Sequence, residues 1–180
     1  MLVIVSGYAS VGKTTIAKRI ANKMNAAFIN GPQTVEHLME EIIIAKRLDG
    51  DDFQTTMKKR LETDRAVAAL RQMVLDFDEV GLDTVLELST YYSDAHIVER
   101  HEMAVKHVEI TMDVALERAQ LAAHNPALYA SIDFDAHVAT RFPVYSDGEL
   151  FEQNVVISYD NGLPLTEARI EALVKNIRSE

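Results

Sequence analysis

The sequence predicts an α/β fold, a five-stranded parallel sheet with helices on both faces. Short apolar runs alternate along the chain with segments of helical periodicity, which is the pattern of parallel strands joined by right-handed crossovers. The first run, Leu2 to Ser6, is almost wholly apolar and ends at a glycine, as expected of a central strand buried on both faces. An amphipathic helix begins shortly after that glycine.

The first half of the chain supplies two strands and a long helical region. An apolar stripe at helical spacing marks the first helix, with Ile16, Ile20 and Met24 on one face. Residues 27–29 form the second predicted strand, which the turn Asn30-Gly31-Pro32 closes. Residues 34–80 show no strand pattern and are predicted to form helices, with a break near residues 48–52.

The second half alternates between strands and helices. Strands are predicted at residues 84–88, 105–112 and 155–157, and helices at 93–102, 114–123 and 133–141. Asp113 is a candidate N-cap, because its carboxylate can accept from the unpaired N–H groups of the following helix. Thr166 begins the last helix in the same way. No linker or internal repeat divides the chain, so a single domain over residues 1–180 is predicted.

The composition narrows the class of protein. The chain has 180 residues, 48% of them hydrophobic, which is enough for one buried core. A formal net charge of -10 disfavours nonspecific coating of nucleic acid, which requires Lys and Arg to neutralise phosphates. Cys is absent, which excludes a disulfide framework and thiolate metal sites, and a cytoplasmic location is predicted. No apolar run approaches the roughly 20 residues of a membrane span.

The segment Gly7-Tyr8-Ala9-Ser10-Val11-Gly12-Lys13-Thr14 has the spacing of a phosphate-binding loop. The pattern is informative because it follows an apolar strand and opens an amphipathic helix. Gly7 and Gly12 permit backbone conformations closed to other residues, so that successive N–H groups can point at a triphosphate. The predicted nucleotide-binding residues in this segment are Gly7, Ala9, Ser10, Val11, Gly12, Lys13, Thr14 and Thr15.

Two residues of this loop carry side-chain chemistry. Lys13 is predicted to reach the β- and γ-phosphates of ATP, and the Thr14 hydroxyl to ligate the Mg²⁺ that bridges them. Thr15 supports the start of the helix. The loop therefore predicts a protein that binds ATP with Mg²⁺.

Three classes of protein are compatible with such a loop: a kinase, a GTPase or ATPase switch, and a binding module without chemistry. A GTPase usually carries an Asn-Lys-x-Asp signature near its later strands, and this chain has none. The segment Asp78-Glu79-Val80-Gly81 matches Asp-x-x-Gly, but it follows a helical stripe and precedes the third strand. We interpret it as a helix end, at the wrong edge of the sheet for a nucleotide site.

Three segments carry a resemblance to known proteins: the loop at residues 7–14, the third strand and its turn at 84–96, and the helical stretch at 115–119. On these residues the chain resembles the small P-loop kinases, the group of polynucleotide-kinase-like, gluconate, shikimate and nucleotide kinases. The resemblance implies a P-loop NTPase fold with a helical acceptor-binding region at 34–80 and a short lid at about 118–145. It also implies that Arg118 contacts the nucleotide phosphates.

The chain departs from this group at three places. Polynucleotide-kinase-like members place an Asp after the second strand, as the base that receives the acceptor's proton, where this chain has Asn30. Many relatives end the third strand in an Asp that holds the magnesium water shell, whereas Glu87 lies one residue earlier here. Many lids carry two or more Arg, and after Arg118 the next candidate is Arg141.

Each remaining candidate also has a structural interpretation. Glu87 interrupts a predicted buried strand, where an unpaired carboxylate is costly, so a metal or a basic partner is expected nearby. Asp94 could bind the acceptor or a metal-bound water, or cap a helix.

Arg118 could stabilise charge on the transferred phosphoryl group or lie solvated on its helix. Arg141 could contact phosphate or pair with an acidic neighbour. The basic run Lys58-Lys59-Arg60 could bind a phosphorylated acceptor or form a solvated face.

These residues together predict a kinase that transfers the γ-phosphoryl group of Mg-ATP to a small acceptor. The candidate catalytic residues are Lys13, Arg118, Glu87 and Asp94, the nucleotide contacts outside the loop are Arg118 and Arg141, and the metal ligands are Thr14 and Glu87. By analogy with the family, the acceptor is expected to be a nucleoside, a nucleotide or a polynucleotide 5′ end. The alternative is a nucleotide-binding regulatory module with weak ATPase activity. Oligomeric state and preference for ATP over GTP are left open.

Overall fold

The structure, a computed structural model, describes residues 1–7, 10–50, 52–88, 104–135 and 156–179. Five parallel strands form one sheet in the order β2-β3-β1-β4-β5. The strands are β1 Leu2–Gly7, β2 Ala27–Asn30, β3 Thr84–Glu87, β4 Val105–Thr111 and β5 Val156–Asp160. The helices are α1 Lys13–Met24, α2 Gly31–Lys46, α3 Phe53–Glu79, α4 Val114–His124, α5 Pro126–Ser131 and α6 Glu167–Ser179. The predicted fold is confirmed.

Strand β1 lies at the centre of the sheet, and its side chains alternate between two apolar cores. Val3 and Val5 pack in a core with α1 and α6, whereas Leu2 and Ile4 pack with α2 and α3 on the other face. Burial on both faces explains why the run is apolar throughout. The sheet is thus covered by helices on both sides, as the alternation of runs predicted.

Two predicted boundaries were wrong. The turn predicted at Asn30-Gly31-Pro32 is the start of α2, because the Asn30 side chain accepts from the N–H of Gln33 and Pro32 occupies the first turn. A proline is compatible with that position, where its missing N–H is not needed. The fifth strand, predicted at 155–157, runs to Asp160, because Tyr159 and Asp160 continue the pairing with β4. Backbone pairing extends this strand beyond its apolar residues.

The helical region expected at 34–80 is confirmed as the antiparallel pair α2 and α3, interrupted between Lys46 and Phe53. The Asp52 side chain caps α3 by accepting from Gln54 and Thr55. The segment beginning at Asp78 is the end of α3, as interpreted from the sequence. The carboxylate of Asp78 lies 3.8 Å from the N-terminal amine of Met1, at the edge of the sheet opposite the loop that follows β1.

Two predicted helices lie wholly or partly outside the described residues. Residues 93–102 lie outside the described residues, as do residues 136–141 of the helix predicted at 133–141. Within the described part of the chain, none of the helices is long and apolar enough to span a membrane.

Helix α2 and strand β3 approach each other closely at Gly31. A Cβ at this position would lie 2.7 Å from the carbonyl oxygen of Glu87, a backbone atom that cannot swing away. Gly81, in the turn after α3, presents the opposite case: its φ is +73°, yet a Cβ there would meet nothing within 4 Å. Gly31 is thus required because a larger residue would clash with the backbone, whereas Gly81 is favoured only by its backbone conformation.

We expect Gly31→Ala to be the more destabilising of the two replacements. Overpacking against backbone costs about 1–3 kcal/mol, whereas a left-handed backbone at Gly81→Ala costs about 1–2 kcal/mol. Urea unfolding of both variants and of the wild-type chain measures the difference. Equal stability of Gly31→Ala and the wild type would contradict the close approach of α2 to β3.

A histidine lies inside the sheet below the start of the loop. His107 on β4 is fully buried, and its Nε2 is 2.9 Å from the Oγ of Ser6, the residue before Gly7 in β1. Burial lowers the pKa of His107 to about 4, because the imidazolium form would lose its hydration. The side chain is therefore neutral at physiological pH.

His107 should make the fold sensitive to acid. The unfolded chain takes up a proton near pH 6.5, but the folded chain does so only near pH 4, so stability falls as the pH is lowered between these values. We expect wild-type unfolding free energy to fall over this window by up to about 3 kcal/mol more than that of His107→Gln. Urea unfolding at several pH values measures it, with exposed His37→Gln as the control. Identical pH profiles for His107→Gln and the wild type would contradict the assignment.

Candidate active site

The described residues of the loop after β1 include three with positive backbone φ. Gly7 has a φ of +144°, and a Cβ there would lie 2.5 Å from the carbonyl oxygen of Ile110 on β4. Ser10 and Gly12 also adopt positive φ, at 65° and 87°. Alternating left-handed residues turn successive N–H groups toward one side, which is how such loops form an anion-binding concavity. Tyr8 and the predicted contact Ala9 lie outside the described residues.

Helix α1 begins directly at Lys13, and Gly12 occupies its N-cap position. In the described part of the chain no side chain caps this helix. The positive end of its dipole is therefore directed at the loop, which favours a bound anion. Thr15 is exposed on the first turn of α1. The uncapped start of α1 thus lies directly after the described residues of the loop.

Glu87 meets the phosphate loop at the carboxyl edge of the sheet. The Thr14 hydroxyl donates to Oε1 of Glu87 over 2.8 Å, joining the first turn of α1 to the last residue of β3. Glu87 is only 5% exposed, and its Oε2 is buried without a hydrogen-bond partner among the described residues. Burial raises the pKa of Glu87, while the Thr14 hydrogen bond and the positive charges of Lys13 and Lys18 oppose that effect. The structure therefore brings both predicted metal ligands together.

Lys13 is surrounded by more negative charge than the sequence indicated. Burial lowers the pKa of its ammonium, and the carboxylates of Glu87 and Glu117 act in the opposite direction. Glu117, on α4, is 2% exposed. Sequence reasoning missed this residue, although a signal was present: Glu117 stands four positions before the buried Leu121 and so shares its helix face.

Arg118, the next residue, was predicted to be catalytic and to contact the nucleotide phosphates, but in the structure its side chain makes a different contact. Its guanidinium forms an ion pair with Asp135 and lies 4.9 Å from the centre of the Phe134 ring. The side chain is 42% exposed. Successive residues of a helix point about 100° apart, which is why burial of Glu117 places Arg118 on another face.

The other residues considered from the sequence make different contacts, are exposed, or lie outside the described residues. Asn30, at the position of the missing Asp, uses its side chain as the N-cap of α2. Lys59 donates to the carbonyl of Gly50, while Lys58 and Arg60 are exposed on α3. The predicted residues Asp94 and Arg141 lie outside the described residues.

The residues around Thr14 fit a magnesium ion chelated by a nucleotide. No group of three or more His, Asp or Glu side chains suited to a metal ion occurs among the described residues. Mg²⁺ does not need such a group, because it keeps several waters and is held by one or two protein oxygens together with substrate phosphates. The orphaned, buried Oε2 of Glu87 beside the Thr14 hydroxyl provides an oxygen of this kind.

Solved structures of kinases resemble the fold over almost the whole chain. A shikimate kinase from Bacteroides thetaiotaomicron is 17% identical, with a TM-score of 0.60 and coverage of 99% of this chain and 96% of that one. A gluconokinase from Sinorhizobium meliloti is 16% identical, with a TM-score of 0.57 and coverage of 99% and 97%. A sugar kinase from Janibacter sp. is also 16% identical, with a TM-score of 0.59 and coverage of 98% and 91%. At this level of identity the likeness establishes the fold.

The sequence itself identifies the family. A comparison with curated proteins gave no match. A family model described as chloramphenicol phosphotransferase-like protein matches residues 1–127, which include the phosphate loop, β3 with Glu87, and α4 with Glu117. The protein therefore belongs to the chloramphenicol phosphotransferase-like family, and it is a phosphotransferase of the small P-loop kinase group.

Proposed function

We propose that this protein transfers the γ-phosphoryl group of Mg-ATP to a hydroxyl group of a small molecule. The observation that carries the proposal is the hydrogen bond between Thr14 and Glu87 beside Lys13. It gathers a hydroxyl, a carboxylate and an ammonium at the carboxyl edge of a parallel sheet, where ligands of such folds bind. The family and the kinase-like fold support the same conclusion.

The protein's own groups would act by position and charge. The loop N–H groups and the dipole of α1 hold the phosphates, and Lys13 neutralises charge on the β- and γ-phosphates. Phosphoryl transfer needs little covalent chemistry from the protein, so preorganised charge supplies most of the rate enhancement. Burial lowers the pKa of the Lys13 ammonium, and the negative charges of Glu87 and Glu117 oppose that effect.

Thr14 and Glu87 are the residues that would hold magnesium. The Thr14 hydroxyl would ligate the ion, and the Glu87 carboxylate would accept from its water shell through the oxygen that has no protein partner. When bound, magnesium neutralises the charge that develops on the phosphate oxygens.

The acceptor would lie over the carboxyl ends of the strands, between the start of α2 and the end of β3. The family description names a chloramphenicol phosphotransferase, and the structural neighbours include a gluconokinase and a shikimate kinase. We extend this preference for small hydroxyl-bearing molecules to the present chain. Nucleosides, nucleotides and oligonucleotide 5′ ends remain a hypothesis from the sequence.

One observation favours a second function, a nucleotide-binding regulatory module with weak ATPase activity. The position after β2 carries Asn30 in place of a carboxylate, and its side chain is engaged as the cap of α2.

The two functions differ in acceptor-dependent turnover. Mass spectrometry can detect phosphoryl transfer from Mg-ATP to a panel of amphenicols, polyol acids, sugars, nucleosides, nucleotides and oligonucleotide 5′ ends. ATP binding without any phosphorylated product would favour the module.

Lys13→Ala should abolish the transfer. Losing a preorganised positive charge at the phosphates is expected to lower kcat/KM by at least about 100-fold. The measurement is the rate of product formation with the acceptor identified in the panel. Lys175→Ala, on the exposed face of α6, is the matched control and should retain full activity. Full activity in Lys13→Ala would show that the phosphate loop is not part of the active site.

Glu87→Gln separates charge from shape at the magnesium position. The amide oxygen can still accept from Thr14, so the unfolding free energy at pH 7 should not fall. It should even rise relative to the wild type above pH 4.5, because burial raises the pKa of Glu87 and disfavours the charged wild-type side chain.

The magnesium concentration for half-maximal activity of Glu87→Gln should increase by about tenfold or more. Magnesium titrations and urea unfolding test the two parts. Exposed Glu79→Gln, at the end of α3, serves as control. An unchanged magnesium requirement in Glu87→Gln would exclude this role.

A further inference from the structure

The turn after β5 reaches the phosphate loop from the far edge of the sheet. Asn161, directly after β5, donates its backbone N–H to the carbonyl of Thr111 at the end of β4 over 2.9 Å. Its side-chain Nδ2 donates to the carbonyl oxygen of Val11, also over 2.9 Å. A residue 150 positions away in sequence thus contacts the backbone of the loop.

The contact leaves no space for a side chain at the neighbouring position. A Cβ on Gly12 would lie 2.5 Å from Nδ2 of Asn161. Gly12 is therefore favoured by its φ of +87°, and a side chain there would also displace the Asn161 amide from its position. The Asn161 amide can occupy its position because Gly12 has no side chain.

The geometry of the peptide bond connects this contact to phosphate binding. In a planar trans peptide, the carbonyl and the following N–H point in opposite directions. Because Asn161 holds the carbonyl of Val11 on its own side, the N–H of Gly12 is directed to the other side. In a phosphate-binding loop that N–H must face the anion.

The turn that carries Asn161 is itself fixed by an arginine of α6. The Arg169 guanidinium donates to the carbonyls of Leu163, over 3.0 Å, and Pro164, over 3.1 Å, and also to that of Asp160. It lies 4.6 Å from the centre of the Tyr159 ring in β5. A planar guanidinium has five donors in a fixed fork and can hold several carbonyls in one geometry, whereas the three donors of a lysine ammonium rotate freely. Asn161 is thus presented to the loop from a rigid support.

We propose that Asn161 is a positioning residue for nucleotide binding, acting through the carbonyl of Val11 to orient the N–H of Gly12 toward the phosphates. The inference rests on the proposed function of the loop. It concerns a residue outside the part of the chain that the family model matches. Arg169 acts one step further away, by holding the turn in which Asn161 lies.

Asn161→Asp tests the proposal, because it keeps the shape of the side chain and removes the donor. A buried carbonyl left without its donor, beside a new negative charge, should weaken Mg-ATP binding by about tenfold or more. Isothermal titration calorimetry measures the dissociation constant without need of an acceptor. Asn176→Asp, the same change on the exposed face of α6, is the control and should bind as the wild type does.

A pH series distinguishes positioning from general damage to the fold. A protonated aspartic acid carries one O–H donor and can restore the bond to Val11. The dissociation constant of Asn161→Asp, divided by that of the wild type, should therefore fall toward one as the pH is lowered from 8 toward the ordinary aspartate pKa of about 3.9. A merely structural defect would not recover with protonation of this side chain.

The outcomes separate this inference from the proposed function. A wild-type chain that does not bind Mg-ATP would overturn both. Normal ATP affinity in Asn161→Asp, with a wild-type chain that binds, would overturn the role of Asn161 alone. If Asn161→Asp does not fold, Arg169→Lys takes its place: weaker ATP binding supports the inference, and unchanged affinity overturns it.

Discussion

The parallel pairing of β1 with β3 on one side and β4 on the other is the constraint on which the site depends. This pairing brings Glu87 opposite Val5 and Ile110 opposite Gly7, so that the carboxyl ends of three strands meet beneath one loop. A Cβ at Gly7 has no space because β4 runs so close. The phosphate loop is thus shaped by strands far along the chain, because Glu87 follows Val5 by 82 positions and Ile110 follows Gly7 by 103.

Most of the fold could be predicted from the sequence, and so could the phosphate loop and Glu87 of the candidate site. Continuous apolar runs indicated buried parallel strands, and the glycine spacing after the first run indicated the phosphate loop. Glu87 was recognisable because a carboxylate interrupts an apolar strand, where burial without a partner is costly. These signals are local, so each could be interpreted without knowledge of tertiary contacts.

The parts that could not be predicted depend on long-range geometry. The helix near residue 115 was recognised, but its rotation about its own axis decides that Glu117 is buried toward Lys13 while Arg118 pairs with Asp135. Asn161 lies in the turn after β5, and its sequence neighbours give no sign of a bond to Val11. The start of α2 was missed because Asn, Gly and Pro favour both turns and first turns of helices.

The central position of β1 also affects how the chain folds as it is made. Leu2 in β1 pairs with Val105 in β4, which emerges about 5–20 s after Leu2 at ordinary translation rates. Until then β1 has no neighbour on that side, and its free backbone groups can pair with other chains. The arrangement that places the phosphate loop over three paired strands therefore leaves an apolar strand open to wrong pairing while the chain is being made.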